Sequence, residues 1–324
     1  MKTLIHFQRL AALISGFTLT LILLGSSLSA QINFSSGGVQ GVNLTNPTSL
    51  DFGPDGRLYV TEQFGDMYAY TLNRDATGTY TVTATEHITV IKNIQNFNDD
   101  GALHNVAKRQ ITGILATGTA ANPVLLVAHS DYRVGGGGGG SDKNLDTNSG
   151  IISKLTWDGT KWVRVDLVRG MARSEENHAA NGMQIDSVNN MLYIAVGGLT
   201  NAGAPSNNFA LVTEYTTAAC ILSIDLNVIN ALPTKYDSVA DSYYKYDLPT
   251  LDDPTRANAN GIEDPNLPGY DGIDINDPHG GNDGLNQAKW VLGGPVQVYA
   301  SGLRNPYDIV ITEAGEMYTW DNGA

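Results

Sequence analysis

A histidine in a polar loop, His178, has the setting in this chain that best suits acid–base chemistry. It lies within residues 173–182, RSEENHAANG, directly before an apolar run typical of a strand. An unperturbed imidazole titrates near pH 6.5, so a neutral His178 beside a ligand could serve as a general base. The alternative interpretation is a surface histidine that is hydrogen-bonded to the local backbone.

Other common catalytic patterns are missing from the sequence. The remaining histidines are scattered along the chain: His6, His87, His104, His129 and His279. None belongs to an H-E-x-x-H or H-x-H motif, so a zinc site has little support. A G-x-S-x-G segment is absent as well, which leaves a serine hydrolase without positive support.

Arg304 and Asn305 form a second candidate group. Like the His178 loop, they stand directly before an apolar run. A guanidinium group can hold a carboxylate or a quinone oxygen through paired donors. The alternatives are a solvated loop arginine and a structural asparagine. Asn-Pro starts turns, and Asn46 precedes Pro47 in the same way without an evident ligand role.

The elements that must position these loops are copies of one phrase. An apolar strand, a tight polar turn and a second strand centred on Leu-Tyr or Met-Tyr occur at residues 46–60, 181–194 and 305–319. The copies are about 130 residues apart. A two-strand unit that recurs in this way is typical of radial β architectures, with each copy marking one blade. In a propeller, the loops before the innermost strands surround the top of the central channel, where small ligands bind.

The rest of the chain also predicts β-structure. Clear helical periodicity is nearly absent, and short apolar runs alternate with clusters of Gly, Asn, Asp and Pro. Strands are predicted at residues 57–60, 67–72, 79–85, 124–128, 151–156, 162–168, 191–196, 221–226, 296–300 and 308–311. This spacing fits a sandwich or a propeller, and the wide repeat favours an all-β propeller.

Two segments interrupt the strand pattern. Six glycines at residues 135–140 precede Lys143, but the lysine does not follow them directly and no helical pattern opens afterwards. A loop between strands is therefore favoured over a phosphate cradle. Residues 230–287 form a long acidic insertion rich in Asp, Asn, Pro and Gly. Within it, residues 271–277 and 280–284 could present several oxygens to Ca²⁺, and the alternative is a solvated, turn-rich insertion.

Residues 1–30 predict an export signal. Lys2 and Arg9 come before a mostly apolar stretch, and small residues lead to a cleavage site after Ala30. An uncleaved membrane anchor is the alternative, although the apolar stretch is shorter than the ~20 residues that a span requires. The protein is therefore expected to be secreted or periplasmic.

Composition narrows the class of partner. The chain has 33 acidic and 19 basic residues and a net charge of −14, so binding to the phosphate backbone of nucleic acids is disfavoured. Cys220 is the only cysteine, so the fold is expected to depend on core burial without disulfides.

Three segments resemble motifs of the soluble quinoprotein glucose/sorbosone dehydrogenases, a family of six-bladed β-propellers. Residues 302–318, GLRNPYDIVITEAGEMY, resemble its G-x-R-N-P segment. The His178 loop with residues 192–197 resembles its H-x-x-G segment and the strand after it. Residues 110–114 are similar to an earlier G-ϕ-x-G-ϕ segment with its nearby glutamine. The resemblance runs discontinuously over residues 46–323 and implies a six-bladed propeller fold.

The resemblance also implies a function. It implies bound pyrroloquinoline quinone (PQQ) and Ca²⁺, with a sugar or another carbohydrate as the partner. His178 would take the proton of a sugar hydroxyl while hydride passes to the quinone. Arg304, Asn305 and Gln110 would contact the quinone, and no metal ligand is assigned.

The sequence departs from the family pattern around these residues. Three residues rather than two separate His178 from Gly182, and Gly198 stands where the family has an aspartate that orients the histidine. Two other interpretations stay open: a non-catalytic propeller that binds carbohydrate or another surface ligand, and a calcium-organised adhesive or structural module. Because the sequence stops one turn after the third copy of the phrase, at Ala324, it is expected to be the N-terminal portion of a longer protein.

Overall fold

The computed structural model of the protein describes residues 36–98, 101–136, 142–252 and 286–323. The first strands in chain order are β1 (Val39–Gln40), β2 (Pro47–Phe52), β3 (Leu58–Glu62), β4 (Met67–Arg74), β5 (Tyr80–Ile88), β6 (Asn96–Phe97), β7 (Leu103–His104), β8 (Gln110–Gly118), β9 (Pro123–Ser130), β10 (Gly150–Trp157) and β11 (Trp162–Met171).

The later elements are β12 (Ala180–Asp186), β13 (Met191–Val196), a 3₁₀ turn (Asn207–Phe209), β14 (Cys220–Asp225), helix α1 (Leu226–Ala231), β15 (Lys235–Asp237), β16 (Ser242–Asp247), β17 (Thr250–Asp252), β18 (Asn286–Ala288), β19 (Val296–Ser301), β20 (Pro306–Ile311) and β21 (Met317–Asp321). Strands account for 49% of the structure and helix for 4%, so the predicted all-β class is confirmed.

Consecutive strands pair into antiparallel meanders, the unit from which propeller blades are built. The first blade has the order β5-β4-β3-β2, and β1 joins it in parallel to β5. The second has the order β11-β10-β9-β8, with β16 and β15 continuing beyond β11. The third is β12-β13-β14-β19, and β20 with β21 forms the first hairpin of a fourth. The described residues are therefore β-propeller-like, and the closure of six blades into a ring stays a prediction.

The three copies of the repeated phrase are the first hairpins of their blades. They form β2–β3, β12–β13 and β20–β21. The prediction that each copy marks one blade is confirmed for the first two copies, and for the third, a two-stranded hairpin, it stays a prediction. The second blade lies between the first two copies. The turns use the predicted chemistry: Gly56 and Asn190 have φ angles of 78° and 54°, in the left-handed region that Gly and Asn tolerate best.

The first strands of the blades, β2, β8, β12 and β20, are called inner strands below. Neighbouring inner strands lie side by side, β2 against β8, β8 against β12, and β12 against β20. The Ala116 N–H of β8 donates to the Asp51 carboxylate of β2 at 2.8 Å, and the Thr112 hydroxyl of β8 donates to the Ala180 carbonyl of β12. The first bond joins the later parts of β2 and β8, and the second joins the beginnings of β8 and β12.

Apolar side chains fill the space between neighbouring blades. A cluster between the first and second blades includes Tyr59, Ile111, Leu125, Leu155 and Trp162. A larger cluster between the second and third blades includes Ile152, Met183, Leu192, Leu222 and Ile229, the last from helix α1. Full burial of each such side chain is worth about 1.5–3 kcal/mol, so the fold rests on this core.

Cys220 belongs to this core and not to a disulfide. It is a free thiol with no exposed surface, and burial raises its pKa to about 12. A thiol with so high a pKa is a poor nucleophile at neutral pH. Cys220 therefore packs as a small apolar residue, as the sequence predicts.

Part of the acidic segment at residues 230–287 pairs with the second blade. Strands β15 and β16 extend that sheet, and buried Arg169 of β11 binds Asp247 at 2.6 Å and Asp237 at 2.8 Å. These carboxylates neutralise a guanidinium that would be costly to bury alone. Residues 253–285, which include both candidate calcium segments, lie outside the described residues.

Two further predictions also fall outside the described residues. They are the export signal at residues 1–30 and most of the glycine run, residues 137–140. Within the residues that are described, the structure contains no helix that is both long and apolar enough to cross a bilayer.

Candidate functional site

His178 lies at the beginning of inner strand β12, in a loop closed by its own hydrogen bonds. Its backbone N–H donates to the Ser174 hydroxyl at 2.8 Å, and the Ser174 N–H donates back to the His178 carbonyl at 2.9 Å. The side chain is only 2% exposed and packs against the Phe209 ring, with centroids 4.9 Å apart. His178 is therefore not the exposed loop histidine of the alternative interpretation.

The imidazole of His178 is held in one orientation by a distant backbone group. Its Nδ1 lies 2.8 Å from the Gly198 carbonyl oxygen, which can only accept, so Nδ1 carries the hydrogen. The lone pair then lies on Nε2. Burial lowers the pKa of His178 to about 4, and the nearby positive charges of Arg304 and Arg173 act in the same direction. The ring is consequently neutral at pH 7 and able to accept a proton at Nε2.

Two glycines after β13 bring the His178 loop close to the Arg304 loop. A Cβ at Gly197 would lie 2.5 Å from Asn305 Oδ1 and 2.7 Å from the Cβ of His178. A Cβ at Gly198 would lie 2.9 Å from Glu214 Oε2. Any side chain at either position would separate the loops, so Gly198 is required by packing where the resembling family has aspartate.

Arg304 lies at the beginning of inner strand β20 and is tied to its surroundings by backbone and side chain. Its carbonyl accepts from the Gly198 N–H at 2.8 Å. Its N–H donates to the Asp321 carboxylate at 3.0 Å. The guanidinium donates through Nε to Asn201 Oδ1 at 3.0 Å and through Nη1 to the Asn322 carbonyl at 2.9 Å. Among the described residues, Nη2 of Arg304 has no such partner and is a donor that a ligand could use.

Asn305 has a structural role beside Arg304. Its Oδ1 accepts from the Asn181 amide at 3.1 Å, and the same amide donates to the Pro306 carbonyl at 2.8 Å. Its backbone N–H donates to Asp321 at 2.7 Å. Because Oδ1 already has a partner, the side-chain NH₂ of Asn305 is the group left for a ligand.

Gln110 is the first residue of inner strand β8, at the same end as the His178 and Arg304 loops. Its Oε1 is buried and finds no hydrogen-bond partner among the described residues, and the same holds for the hydroxyl of Ser130, its register partner on β9. Unpaired buried polar atoms are uncommon in native folds and point to a missing water or ligand. The structure thus groups His178, Arg304 and Asn305 around Gly197 and Gly198, with Gln110 on the adjacent inner strand and no direct contact to His178.

Sequence reasoning missed two residues of this site, Asn181 and Glu214. Asn181 had a signal, because it opens the second copy of the phrase where Asn46 and Asn305 open the others. Glu214 had none. It comes from a connection between β13 and β14, and only folding brings its carboxylate against Gly198.

A cleft of about 540 Å³ lies beside Arg304. Its lining includes Glu214, Tyr215, Arg304 and Asp321, together with Ser301 and Thr216. Hydroxyl and carboxylate groups of this kind bind the hydroxyls of a polar ligand. A second cleft of about 500 Å³ lies at the other end of the blades, near residues 184–189 and 311–315, away from the candidate site.

The charge at the site suits a ligand with an anionic or quinone oxygen. Arg304 supplies a cation, and the Gly197–Gly198 backbone offers a surface without side chains. The unpaired Gln110 Oε1 is an acceptor and would meet a hydrogen-bond donor. Within the described ranges, no group of three or more His, Cys, Asp or Glu side chains could hold a metal ion. Arg304 therefore fits a carboxylate or quinone oxygen of the kind that PQQ would present.

No known family model and no curated protein matches the chain. Solved structures with a similar fold exist. One is the PQQ domain of pyranose dehydrogenase from Coprinopsis cinerea, in its holo form, with a TM-score of 0.45 and 16% identity. The match covers 88% of this chain and 45% of that one. Another is the calcium structure of a Trichoderma reesei carbohydrate-active enzyme of family AA12, with a TM-score of 0.38 and 14% identity over 88% of this chain and 64% of that one.

A third similar structure is an oxidoreductase of Thermus thermophilus described as a glucose dehydrogenase. It has a TM-score of 0.32 and 14% identity, and the match covers 88% of this chain and 92% of that one. The chain spans less than two thirds of the length of the first two. At these identities and TM-scores, function must be argued from the chain's own residues.

Proposed function

We propose that this chain carries the general base of an exported, quinone-dependent dehydrogenase that oxidises a sugar hydroxyl. The observation that supports it best is the state of His178. Its ring is buried and neutral, and the Nδ1 hydrogen bond to Gly198 fixes Nε2 as the proton acceptor. A neutral base held in one tautomer is suited to removing a proton from a hydroxyl bound at its Nε2.

His178 would accept the hydroxyl proton at Nε2 as the carbon–oxygen bond becomes a carbonyl. PQQ, when bound, would supply the acceptor for the hydride that leaves the same carbon. Arg304 would hold a carboxylate or quinone oxygen through Nη2, and Gln110 would meet a polar group through its side-chain amide. The Phe209 ring and the closed His178 loop exclude water from one face of the imidazole.

The test begins with binding. Purified protein is titrated with PQQ in the presence of Ca²⁺, followed by quinone absorbance, and dye reduction is assayed with a panel of sugars. We expect His178→Ala to abolish dye reduction while leaving quinone binding largely intact, and Arg304→Ala to weaken binding. His87→Ala is the matched control, because His87 is an exposed histidine on β5 bonded to Asp66. It should leave both measurements unchanged.

The outcomes separate the alternatives. Absence of quinone binding would refute the dehydrogenase. Sugar binding without quinone binding would instead favour a non-catalytic carbohydrate-binding propeller, for which the polar cleft beside Arg304 is the supporting feature. Full activity of His178→Ala would exclude this residue as the base.

The pH dependence provides an independent test. Because burial lowers the pKa of His178 to about 4, the base stays unprotonated down to that pH. We expect kcat/KM to fall on the acid side only as the pH approaches about 4. An acid limb near pH 6.5, the ordinary value for histidine, would mean that another group or an exposed imidazole is the base.

Export and calcium are proposed from the sequence alone. Export predicts that the mature protein begins at Gln31, which N-terminal sequencing of the exported protein would determine. Calcium predicts that EDTA lowers quinone binding and that added Ca²⁺ restores it. No effect of either treatment would remove calcium from the proposal.

A further inference from the structure

Glu214 binds the turn that follows β13 through both oxygens of its carboxylate. Its Oε1 accepts from the Leu199 N–H at 2.7 Å, and its Oε2 accepts from the Thr200 hydroxyl. Oε2 also fills the place of a residue-198 side chain, 2.9 Å from a Cβ built on Gly198. A single carboxylate therefore fixes this turn at successive residues.

This turn carries the hydrogen-bond acceptor of His178. The Gly198 carbonyl accepts from Nδ1 of His178 at 2.8 Å, while the Gly198 N–H donates to the Arg304 carbonyl at 2.8 Å. Gly198 itself has no side chain with which to stabilise its peptide groups. The orientation of its peptide groups must come from neighbouring residues. Glu214 accepts hydrogen bonds from Leu199 and Thr200, the two residues that follow Gly198.

The segment that carries Glu214 is itself anchored. Val212 and Tyr215 on either side are 4% and 2% exposed and belong to the core between the second and third blades. The Tyr215 hydroxyl lies 2.7 Å from the Thr147 hydroxyl. The carboxylate is consequently presented from a fixed backbone, which a positioning group requires.

We propose that Glu214 is a positioning residue: it holds the Gly198 carbonyl in place to accept the Nδ1 hydrogen of His178 and so fixes Nε2 as the proton acceptor. Hydrogen-bond partners that act through a histidine in this way set its tautomer and ring orientation. The inference rests on the proposed role of His178 as a base. Glu214 acts on His178 indirectly, through the Gly198 carbonyl. Its carboxylate comes from the connection between β13 and β14 and not from residue 198.

The decisive measurement is the tautomer of His178, read from the ¹⁵N chemical shifts of its ring nitrogens and assigned with His178→Ala. We expect a single Nδ1–H tautomer in the unmodified protein and a mixture in Glu214→Ala. Glu214→Gln should preserve most of the single tautomer, because its amide oxygen can still accept from Leu199. Glu313→Ala, an exposed acidic residue near the other cleft, is the control.

The kinetic arm tests the consequence for catalysis. In Glu214→Ala we expect kcat to fall by about 10- to 100-fold, because the base is misoriented. Since Glu214 also lines the cleft beside Arg304, a change in KM does not bear on its positioning role, and the tautomer decides. An unchanged tautomer in folded Glu214→Ala would overturn the inference. If that variant does not fold, Thr200→Val removes one of the two bonds and is judged by the same spectrum.

The two proposals fail in different ways. If no quinone binds and no sugar is oxidised, the dehydrogenase is refuted, yet the tautomer spectrum still decides whether Glu214 positions His178. If activity is present and the tautomer does not respond to Glu214→Ala or Thr200→Val, the dehydrogenase stands and the role of Glu214 is wrong.

Discussion

Gly113 marks the closest approach of inner strands β8 and β12, below the His178 loop. An alanine Cβ at this position would lie 2.9 Å from the carbonyl carbon of Asn181 and closer still to its oxygen. Carbon atoms in good contact are about 3.5–4.0 Å apart, so the strands would have to separate by at least about 0.6 Å. The obstacle is backbone, and no side-chain rotation can relieve the clash.

Asn181 has little freedom to move away. It is 2% exposed, and its amide is bonded to Asn305 and to the Pro306 carbonyl of the next blade. Overpacking of this kind costs about 1–3 kcal/mol. Taking about 2 kcal/mol, and about 2–4 °C per kcal/mol for a domain of this order of size, we expect Gly113→Ala to lower Tm by about 4–8 °C.

The assay is thermal and urea unfolding of Gly113→Ala beside Gly37→Ala. Gly37 is the matched control, since an added Cβ there meets nothing within 4 Å and its φ is not positive. It should change stability by less than about 0.5 kcal/mol. A Gly113→Ala protein with the Tm and urea midpoint of the unmodified protein would refute the contact between β8 and β12 on which the site geometry depends.

Two further predictions concern stability. Asn181→Ala should cost about 1–3 kcal/mol in urea unfolding, because the buried Pro306 carbonyl loses a donor, and equal stability would contradict the bond between blades. Burial and the nearby negative charge of Asp142 both raise the pKa of Glu175 from 4.5 to about 8. Between these pH values the folded protein therefore keeps a proton on Glu175 that the unfolded chain releases. Its contribution to stability is therefore lost as pH rises from about 4.5 to 8, and Glu175→Gln should show a smaller loss over that range; identical pH profiles would disprove this assignment.

Local sequence signals predicted the strands well. Alternating apolar runs bounded by Gly, Asn and Asp are sufficient to set a strand and its turn, so each predicted run overlaps an observed strand. The repeated phrase also located the hairpins β2–β3, β12–β13 and β20–β21, whereas the second blade, β8 to β11, contains no copy of it. The pairing of β16 with β11, far apart in the chain and parallel, had no such local signal.

Candidate site residues were harder to interpret from sequence. The loops before the third and fourth inner strands, β12 and β20, were identifiable because they precede copies of the phrase. The sequence left open whether Asn305 contacts a ligand or has a structural role. In the structure the Asn181 amide donates to its Oδ1, which gives that oxygen a structural partner. The replacement of an expected aspartate by Gly198 suggested a weakened base, but the space is taken by the Glu214 carboxylate.

The sequence by itself determined the all-β class, the hairpin repeat and the loops that hold His178 and Arg304, because these follow from residue periodicity and turn chemistry over a few neighbouring positions. Only the tertiary structure decided that His178 is buried and neutral, that Gly198 supplies its acceptor and that Glu214 fixes that turn. Those properties arise from contacts between segments 14 to 20 residues apart or more. Burial and hydrogen-bond geometry at such separations depend on how the blades pack, which no local pattern of residues specifies.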